Sequence, residues 1–129
     1  MPLERLDHAL VLTDDVEQTK AFYCDALGLE VGERPPLPFS GYWLYLGGAA
    51  CLHVADRAGY EVEAARLRLS TGPAVDHVAF AGRDYDEVSA RLERAGVPAV
   101  ENVAAGGALR QLFLSDPNGV RIELNLPVR

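Results

Sequence analysis

The chain has 129 residues, of which 49% are hydrophobic and 24% charged, and this composition is typical of one globular domain. Twelve basic and nineteen acidic residues give a formal net charge of −7, which disfavours binding to nucleic acid or anionic lipid through positive charge. No apolar run is long enough to span a bilayer. From the charge and the missing apolar run together, we expect neither a nucleic-acid nor a membrane partner.

The first half of the chain predicts a strand, a helix and further strands in that order. Residues 5–12 are apolar and β-prone, and Asp14 or Asp15 then begins a helix that runs to about Leu27. Two or three strands follow, and the last two are joined by a tight turn at Gly47-Gly48. This half is therefore predicted to be a β-α-β-β-β module.

The second half follows the same plan after a connecting segment. Residues 56–74 are predicted to be a linker, within which residues 61–69 allow a short helix. A strand at 75–81 precedes a helix that begins at Asp84, and residues 116–119, DPNG, form the last tight turn.

Four short motifs recur at a nearly constant offset. LDHA at 6–9 recurs as VDHV with an offset of 69, and LGL, LYL and LHV recur as AGV, LFL and IEL with offsets of 68, 68 and 70. We interpret the chain as a single α+β domain over residues 1–129, made of two fused βαβββ modules related by a pseudo-twofold axis. The predicted boundaries are module one at 4–55, a linker at 56–74 and module two at 75–127.

Side chains alternate between the two faces of a strand, and this alternation places one set of polar side chains on the sheet faces that do not pack on helices. Ile122, Leu124 and Leu126 share the face that packs on helices, so Glu123 points the other way. The same rule directs the three histidines of the chain inward. The predicted inward donors are His8, His53, His77 and Glu123, matched by the repeat as His8 with His77 and His53 with Glu123.

These four side chains predict a metal centre. Neutral imidazole and carboxylate are the ligands of Zn, Ni, Fe and Mn in proteins, and four donors leave one or two positions of the ion open. His53 has an alternative role as a base beside the metal, and Glu123 has an alternative as an ion-pair partner of Arg121 or Arg110.

The remaining inward side chains predict a small-molecule site. Leu10, Trp43, Tyr45 and Phe113 indicate a ligand with an apolar or aromatic body, and Arg110 or Arg121 would meet an anionic end. Alternatively, Trp43 is an ordinary residue of the hydrophobic core and does not contact a ligand.

Four segments together resemble one known family: LDHALVLTDDVEQTKAFYCDALGLEV, LHVAD, VDHVAF and LFLSDPNGVRIEL. They resemble the vicinal oxygen chelate superfamily, the group of glyoxalases, bleomycin-resistance proteins and extradiol dioxygenases. The resemblance covers nearly the whole chain and implies two βαβββ modules that form a curved mixed sheet around a divalent metal. It implies His8, His77 and Glu123 as ligands, with His53 at the fourth ligand position.

The resemblance also implies an activity, without selecting a subfamily. Metal-binding members chelate two adjacent substrate oxygens and stabilise an anion, so we expect lyase or isomerase chemistry with Glu123 as the first candidate to move the proton and His53 as the second. An extradiol dioxygenase is an alternative, although Phe113 lies on the strand where those enzymes carry an acid-base tyrosine. A metal-free binding protein of the bleomycin-resistance type is the other alternative.

The sequence finally predicts a cytoplasmic homodimer. Cys24 and Cys51 are too few for a disulfide framework, and the opening residues MPLERLDHAL lack the apolar run of a signal peptide. Eight short strands in two halves leave sheet edges that a second copy commonly covers.

Overall fold

The computed structural model describes residues 2–69, 72 and 74–128, whose elements form two modules in chain order. Module one contains β1 (Ala9–Thr13), α1 (Val16–Asp25), β2 (Glu30–Gly32), β3 (Gly41–Leu46) and β4 (Ala49–Asp56). Helix α2 (Arg57–Arg66) connects it to module two. Module two contains β5 (His77–Ala81), α3 (Tyr85–Arg94), β6 (Val100–Ala104), a 3₁₀ turn (Ala105–Gly107), β7 (Leu109–Ser115) and β8 (Arg121–Pro127).

Each module forms its own four-stranded mixed sheet. The strand order β1-β4-β3-β2 in the first sheet is repeated as β5-β8-β7-β6 in the second. The first strand of each module pairs in parallel with the last one, and the other pairs are antiparallel. The predicted α+β fold of two βαβββ modules is confirmed, with β1 and β5 each at an edge of its sheet.

The helices begin where acidic side chains cap them. Asp15, one of the two predicted starts, accepts a hydrogen bond from the backbone N–H of Gln18, and Asp84 does the same for Glu87. Helix α2 begins at Arg57, four residues before the predicted position, because the side chain of Asp56 caps it at the end of β4.

One hydrophobic core contains the apolar faces of both sheets. Buried residues of the first sheet, the second sheet and the helices all belong to one cluster. The buried members are Val11, Tyr23, Ala26, Leu29, Leu44, Leu52, Val54, Leu92, Leu112, Leu114, Ile122, Leu124 and Leu126. Because both apolar faces adjoin this core, the polar face of each sheet lies on the side turned away from it.

A buried polar contact joins the two modules within the core. The hydroxyl of Tyr23, on α1, donates to Oδ2 of Asp116 at 2.8 Å in the turn between β7 and β8. Oδ1 of Asp116 accepts from the backbone N–H groups of Asn118 and Val120, and the Asn118 amide donates to Thr19 Oγ1 at 2.9 Å. This network attaches α1 of module one to the turn of module two.

None of the helices in the described part of the chain has both the length and the apolar character needed to cross a bilayer.

The Tyr23–Asp116 contact makes a testable contribution to stability. Tyr23→Phe removes the donor from a buried carboxylate oxygen, so we expect the free energy of unfolding to fall by about 1–3 kcal/mol. Urea denaturation measures this change. Tyr60→Phe is the control, because within the described residues the Tyr60 hydroxyl makes no hydrogen bond, and its effect should stay within about 0.5 kcal/mol. Equal losses in the two variants would contradict the contact's role.

Candidate functional site

The predicted donors form two groups on separate sheets. The first half-site consists of His8, His53 and Trp43 on the polar face of the first sheet. The second half-site is built around His77 and Glu123 on the polar face of the second sheet. Over residues 2–69, 72 and 74–128, no group of three or more His, Cys, Asp or Glu side chains lies close enough to hold a metal. The four predicted donors therefore do not form one metal centre within the described part of the chain.

The first half-site is a column of three stacked rings. The His53 ring lies between His8, at a centroid distance of 3.8 Å and an interplanar angle of 13°, and Trp43, at 4.1 Å and 8°. The stack follows from strand register, because Trp43 on β3 lies directly opposite His53 on β4.

This stacking decides how many imidazoles of the half-site can bind one ion. The nitrogen lone pairs of a histidine lie in the plane of its ring, and the planes of His8 and His53 are nearly parallel. Two such planes do not converge on an ion at the usual bond length of about 2.0–2.1 Å. In this arrangement His8 and His53 together can offer at most one ligand to a single ion.

His8 has the support that is typical of a metal-ligating histidine. Its Nδ1 lies 2.8 Å from Oδ2 of the preceding Asp7, which fixes the ring and leaves Nε2 for the site. The hydrogen bond to His8 is the main cause that lowers the pKa of Asp7, so the carboxylate is ionised at neutral pH.

The second half-site repeats this arrangement. Nδ1 of His77 lies 3.0 Å from Oδ2 of Asp76, and Arg121 also pairs with that carboxylate. The His77 hydrogen bond and the Arg121 charge both lower the pKa of Asp76. Nε2 of His77 lies 3.6 Å from Oε1 of Glu123, close to the separation of about 3.4 Å for two ligands of one tetrahedral ion.

Glu123 is held by a network of amide side chains. Its Oε2 accepts from Asn125 Nδ2 at 2.9 Å and from Gln111 Nε2 at 3.3 Å. Gln111 is fixed in turn, since its Oε1 accepts from Asn102 Nδ2 at 2.8 Å. These contacts leave Oε1, the oxygen near His77, to act on a ligand.

His53 differs from the other two histidines in its electrostatic setting. Burial lowers its pKa, because it disfavours the imidazolium, and the neighbouring His8 adds to this effect. At neutral pH His53 is therefore a neutral imidazole that can accept a proton.

The predicted aromatic residues lie where the alternation rule directs them. Trp43 belongs to the first half-site, and Tyr45, two residues further on β3, donates its hydroxyl to the Glu33 carbonyl at 2.6 Å. Phe113 on β7 lies directly opposite Glu123 in the sheet register.

The two predicted anion-binding arginines have different positions. Arg121 lies at the second half-site, where Asp76 engages it. Arg110 lies on the helix side of its sheet. Its guanidinium carbon is 3.3 Å from the centroid of the Tyr85 ring, and its Nη2 is 3.0 Å from Oε1 of Glu101. We therefore do not assign Arg110 to the polar face.

Sequence reasoning assigned no role to Asp7 or Asp76, which orient the two first-strand histidines. The signal was present, because the dipeptide Asp-His occurs at the start of both modules. A carboxylate one residue before each candidate ligand indicates a second layer of contacts that the repeat preserved.

Comparison with known proteins identifies relatives of this fold. The sequence profile described as "Glyoxalase/Bleomycin resistance protein/Dioxygenase superfamily" matches residues 5–124. Over 39 residues, 30% of this chain, the sequence is 51% identical to mitochondrial methylmalonyl-CoA epimerase from Bos taurus, and the matched stretch spans only 22% of that protein.

Among the solved structures that this chain resembles, two illustrate a match along nearly its whole length. Lactoylglutathione lyase from Agrobacterium tumefaciens aligns with a TM-score of 0.75 and 22% identity over 97% of this chain and 95% of that one, which shows a shared fold. TnmS3, an antibiotic-binding protein from Streptomyces sp. CB03234, aligns with a TM-score of 0.69 and 25% identity over 99% of both chains.

The lowered pKa of His53 predicts its titration in the metal-free protein. Since burial and His8 disfavour the charged ring, the proton should bind only below the ordinary value of 6.5. NMR titration of the imidazole resonance, assigned with His53→Gln, should give a midpoint below that of the same residue in urea. Between the two midpoints the unfolded chain binds more protons, so the free energy of unfolding should decrease as the pH falls. A midpoint at or above 6.5 would contradict the neutral imidazole.

Proposed function

This chain belongs to the glyoxalase/bleomycin resistance protein/dioxygenase superfamily, and from that premise we propose that it is a metal-dependent enzyme acting on a small oxygenated metabolite. The observation that carries the proposal is the matched pair of carboxylate-supported histidines. Asp7 and Asp76 each engage Nδ1 of the following histidine, so that both Nε2 atoms remain for a cation.

The ligand set we propose is His8, His77 and Glu123. Two imidazole nitrogens and one carboxylate oxygen suit Zn, Fe, Ni or Mn, and three protein ligands leave positions for two substrate oxygens. His53 is excluded from this set because its ring lies parallel to that of His8. When bound, such an ion supplies Lewis acidity that stabilises negative charge developing on the substrate oxygens.

We propose that a second copy of the chain completes each site. Among the described residues of one chain, the donors of the two half-sites do not come together in one group that could hold a metal ion. Both first strands are sheet edges, and the apolar residues just before them, Leu6 and Val75, are 92% and 81% exposed. A twofold homodimer would cover these edges and bring His8 of one subunit to His77 and Glu123 of the other.

The side chains of the completed site favour a proton transfer, as in lyase and isomerase chemistry. Glu123 is our first candidate for the base. Because Oε2 is held by Asn125 and Gln111, Oε1 would have both roles, and it would take the proton only when it is not bound to the ion. His53 is the second candidate, since it is neutral and lies beside His8 without a carboxylate on its ring. Either group would remove a proton from the carbon next to a chelated carbonyl.

A metal-free binding protein is a second candidate function, and the ring column favours it. The column ends in the Trp43 ring, whose second face makes no aromatic contact within the described residues and can stack against a planar ligand. The similarity to an antibiotic-binding protein supports this alternative. In that case metal would not bind, and the histidines would serve only as aromatic surface.

The metal site and its division between subunits are tested together. Protein purified without a histidine tag should contain a stoichiometric divalent ion by elemental analysis, and both His8→Ala and Glu123→Gln should lose it. When the two variants are unfolded and refolded as a mixture, half of the dimers regain one intact site. We expect about a quarter of the wild-type metal content.

A site within one chain would leave the mixture as empty as either variant alone. Wild-type protein that takes up no ion on exposure to Zn, Fe, Ni or Mn would instead favour the binding-protein alternative. A refolded mixture of wild-type chains is the control for losses during refolding.

The supporting carboxylates predict a graded effect on metal affinity. Asp7→Asn and Asp76→Asn keep the side-chain shape but weaken the contact that holds Nδ1, so each should lower metal affinity about 10- to 100-fold. Isothermal titration calorimetry measures this change. Asp86→Asn, in the first turn of α3, is the matched control and should leave the affinity unchanged. Unchanged affinity in both test variants would exclude the supporting role.

A further inference from the structure

Arg34 lies beside the first half-site and belongs neither to the proposed metal ligands nor to the candidate bases. It follows β2 by two residues, and Gly32 at the end of β2 lies directly opposite Trp43 on β3. Trp43 in turn lies opposite His53, so the chain at Arg34 passes the outer end of the ring column. The positive charge of Arg34 contributes to the lowered pKa of His53, which agrees with this position.

The guanidinium of Arg34 is held in place by its own loop. Nη2 donates to the carbonyl oxygen of Phe39 at 2.7 Å, and the guanidinium carbon lies 5.4 Å from the centroid of the Phe39 ring. The Phe39 ring packs edge to face against Tyr60 of α2, with centroids 5.5 Å apart. The cation is therefore pre-positioned by aromatic contacts, at little further entropic cost on binding.

The hydrogen-bonding capacity of Arg34 is largely unused. Nε is enclosed and has no partner, the one such side-chain atom found among the described residues. Across the same residues Arg34 forms no ion pair with a carboxylate, in contrast to Arg110 and Arg121. Nε is too enclosed for a ligand to reach, but Nη1 also forms no hydrogen bond within the described residues, and the side chain is only half-buried. The terminal end of the guanidinium can therefore donate to an anionic oxygen in a charge-assisted hydrogen bond.

We propose that Arg34 binds the anionic end of the ligand, a carboxylate or phosphate, while the body of the ligand lies against the ring column of His8, His53 and Trp43. This inference rests on the proposed function only in placing the ligand at the first half-site. It assigns to Arg34 the role that the sequence suggested for Arg110 or Arg121, both of which are engaged by carboxylates.

A purely structural role for Arg34 makes a different prediction. The contact to Phe39 tethers the loop, so any substitution of Arg34 will lower the melting temperature to some extent. A tether alone would not make the site prefer an anionic ligand over a neutral ligand of the same shape. The ratio of the affinities for an anionic and a neutral ligand of the same shape therefore distinguishes ligand binding by Arg34 from a purely structural role.

The single tryptophan of the chain provides the readout. The indole N–H of Trp43 gives one cross-peak in a ¹H–¹⁵N NMR spectrum, and it reports directly on the ring column. Metal-free protein is titrated with benzoate, with phenyl phosphate and with the neutral benzamide. We expect at least one of the two anions to bind about tenfold or more tightly than benzamide.

Arg34→Gln should abolish this preference while leaving the weak binding of benzamide unchanged. Arg34→Lys keeps the charge without the planar fork and should retain an intermediate preference. Arg83→Gln, which removes an exposed arginine, is the matched control and should behave as wild type. Equal binding of the anions and benzamide by the wild type, or an undiminished preference in Arg34→Gln, would overturn the proposal. Since no metal is present, this result is independent of the metal tests.

Discussion

The shared core of the two sheets is the constraint on which the site depends. The apolar faces of both modules pack into one cluster, and Tyr23 donates to Asp116 inside it, so each polar face lies on the side of its sheet away from this core. In the described part of one chain, no three or more His, Cys, Asp or Glu side chains come together in a group that could hold a metal ion. In the function we propose, a twofold partner would supply the donors that each half-site lacks.

The duplicated module explains both the symmetry and the asymmetry of the proposed centre. His8 and His77 occupy equivalent positions at the start of the two modules, His8 just before β1 and His77 as the first residue of β5, and each keeps its preceding aspartate on Nδ1. The last strands have diverged, because His53 joins an aromatic stack while Glu123 is held by amide side chains. Equivalent positions thus provide the shared ligands, and the divergent pair provides one carboxylate and one neutral imidazole for the chemistry.

Periodicity predicted the faces of the strands but not how the sheets are placed. Alternation determines which side chains share a face, and it even places Arg110 with the buried Leu112 and Leu114 rather than with Glu123. It contains no information on whether the two apolar faces share one core, since that depends on packing between residues distant in sequence. The stacking of His53 was also beyond prediction, because ring orientation depends on side-chain torsions and on neighbours across the sheet.

The strand order of the first sheet sets the length of ligand that the proposed site would accept. Along β1-β4-β3-β2 the face presents His8, His53, Trp43 and finally Arg34 just beyond β2. Neighbouring strands are about 4.8 Å apart, so the first and last of these strands are separated by about 14 Å, which the long Arg34 side chain shortens. A ligand that reaches from the metal ligand to the arginine must therefore place an aromatic or apolar body between its chelating oxygens and its anionic end. A molecule of two or three carbons would meet only one of these groups, so the geometry favours an extended aromatic acid over the smallest oxygenated metabolites.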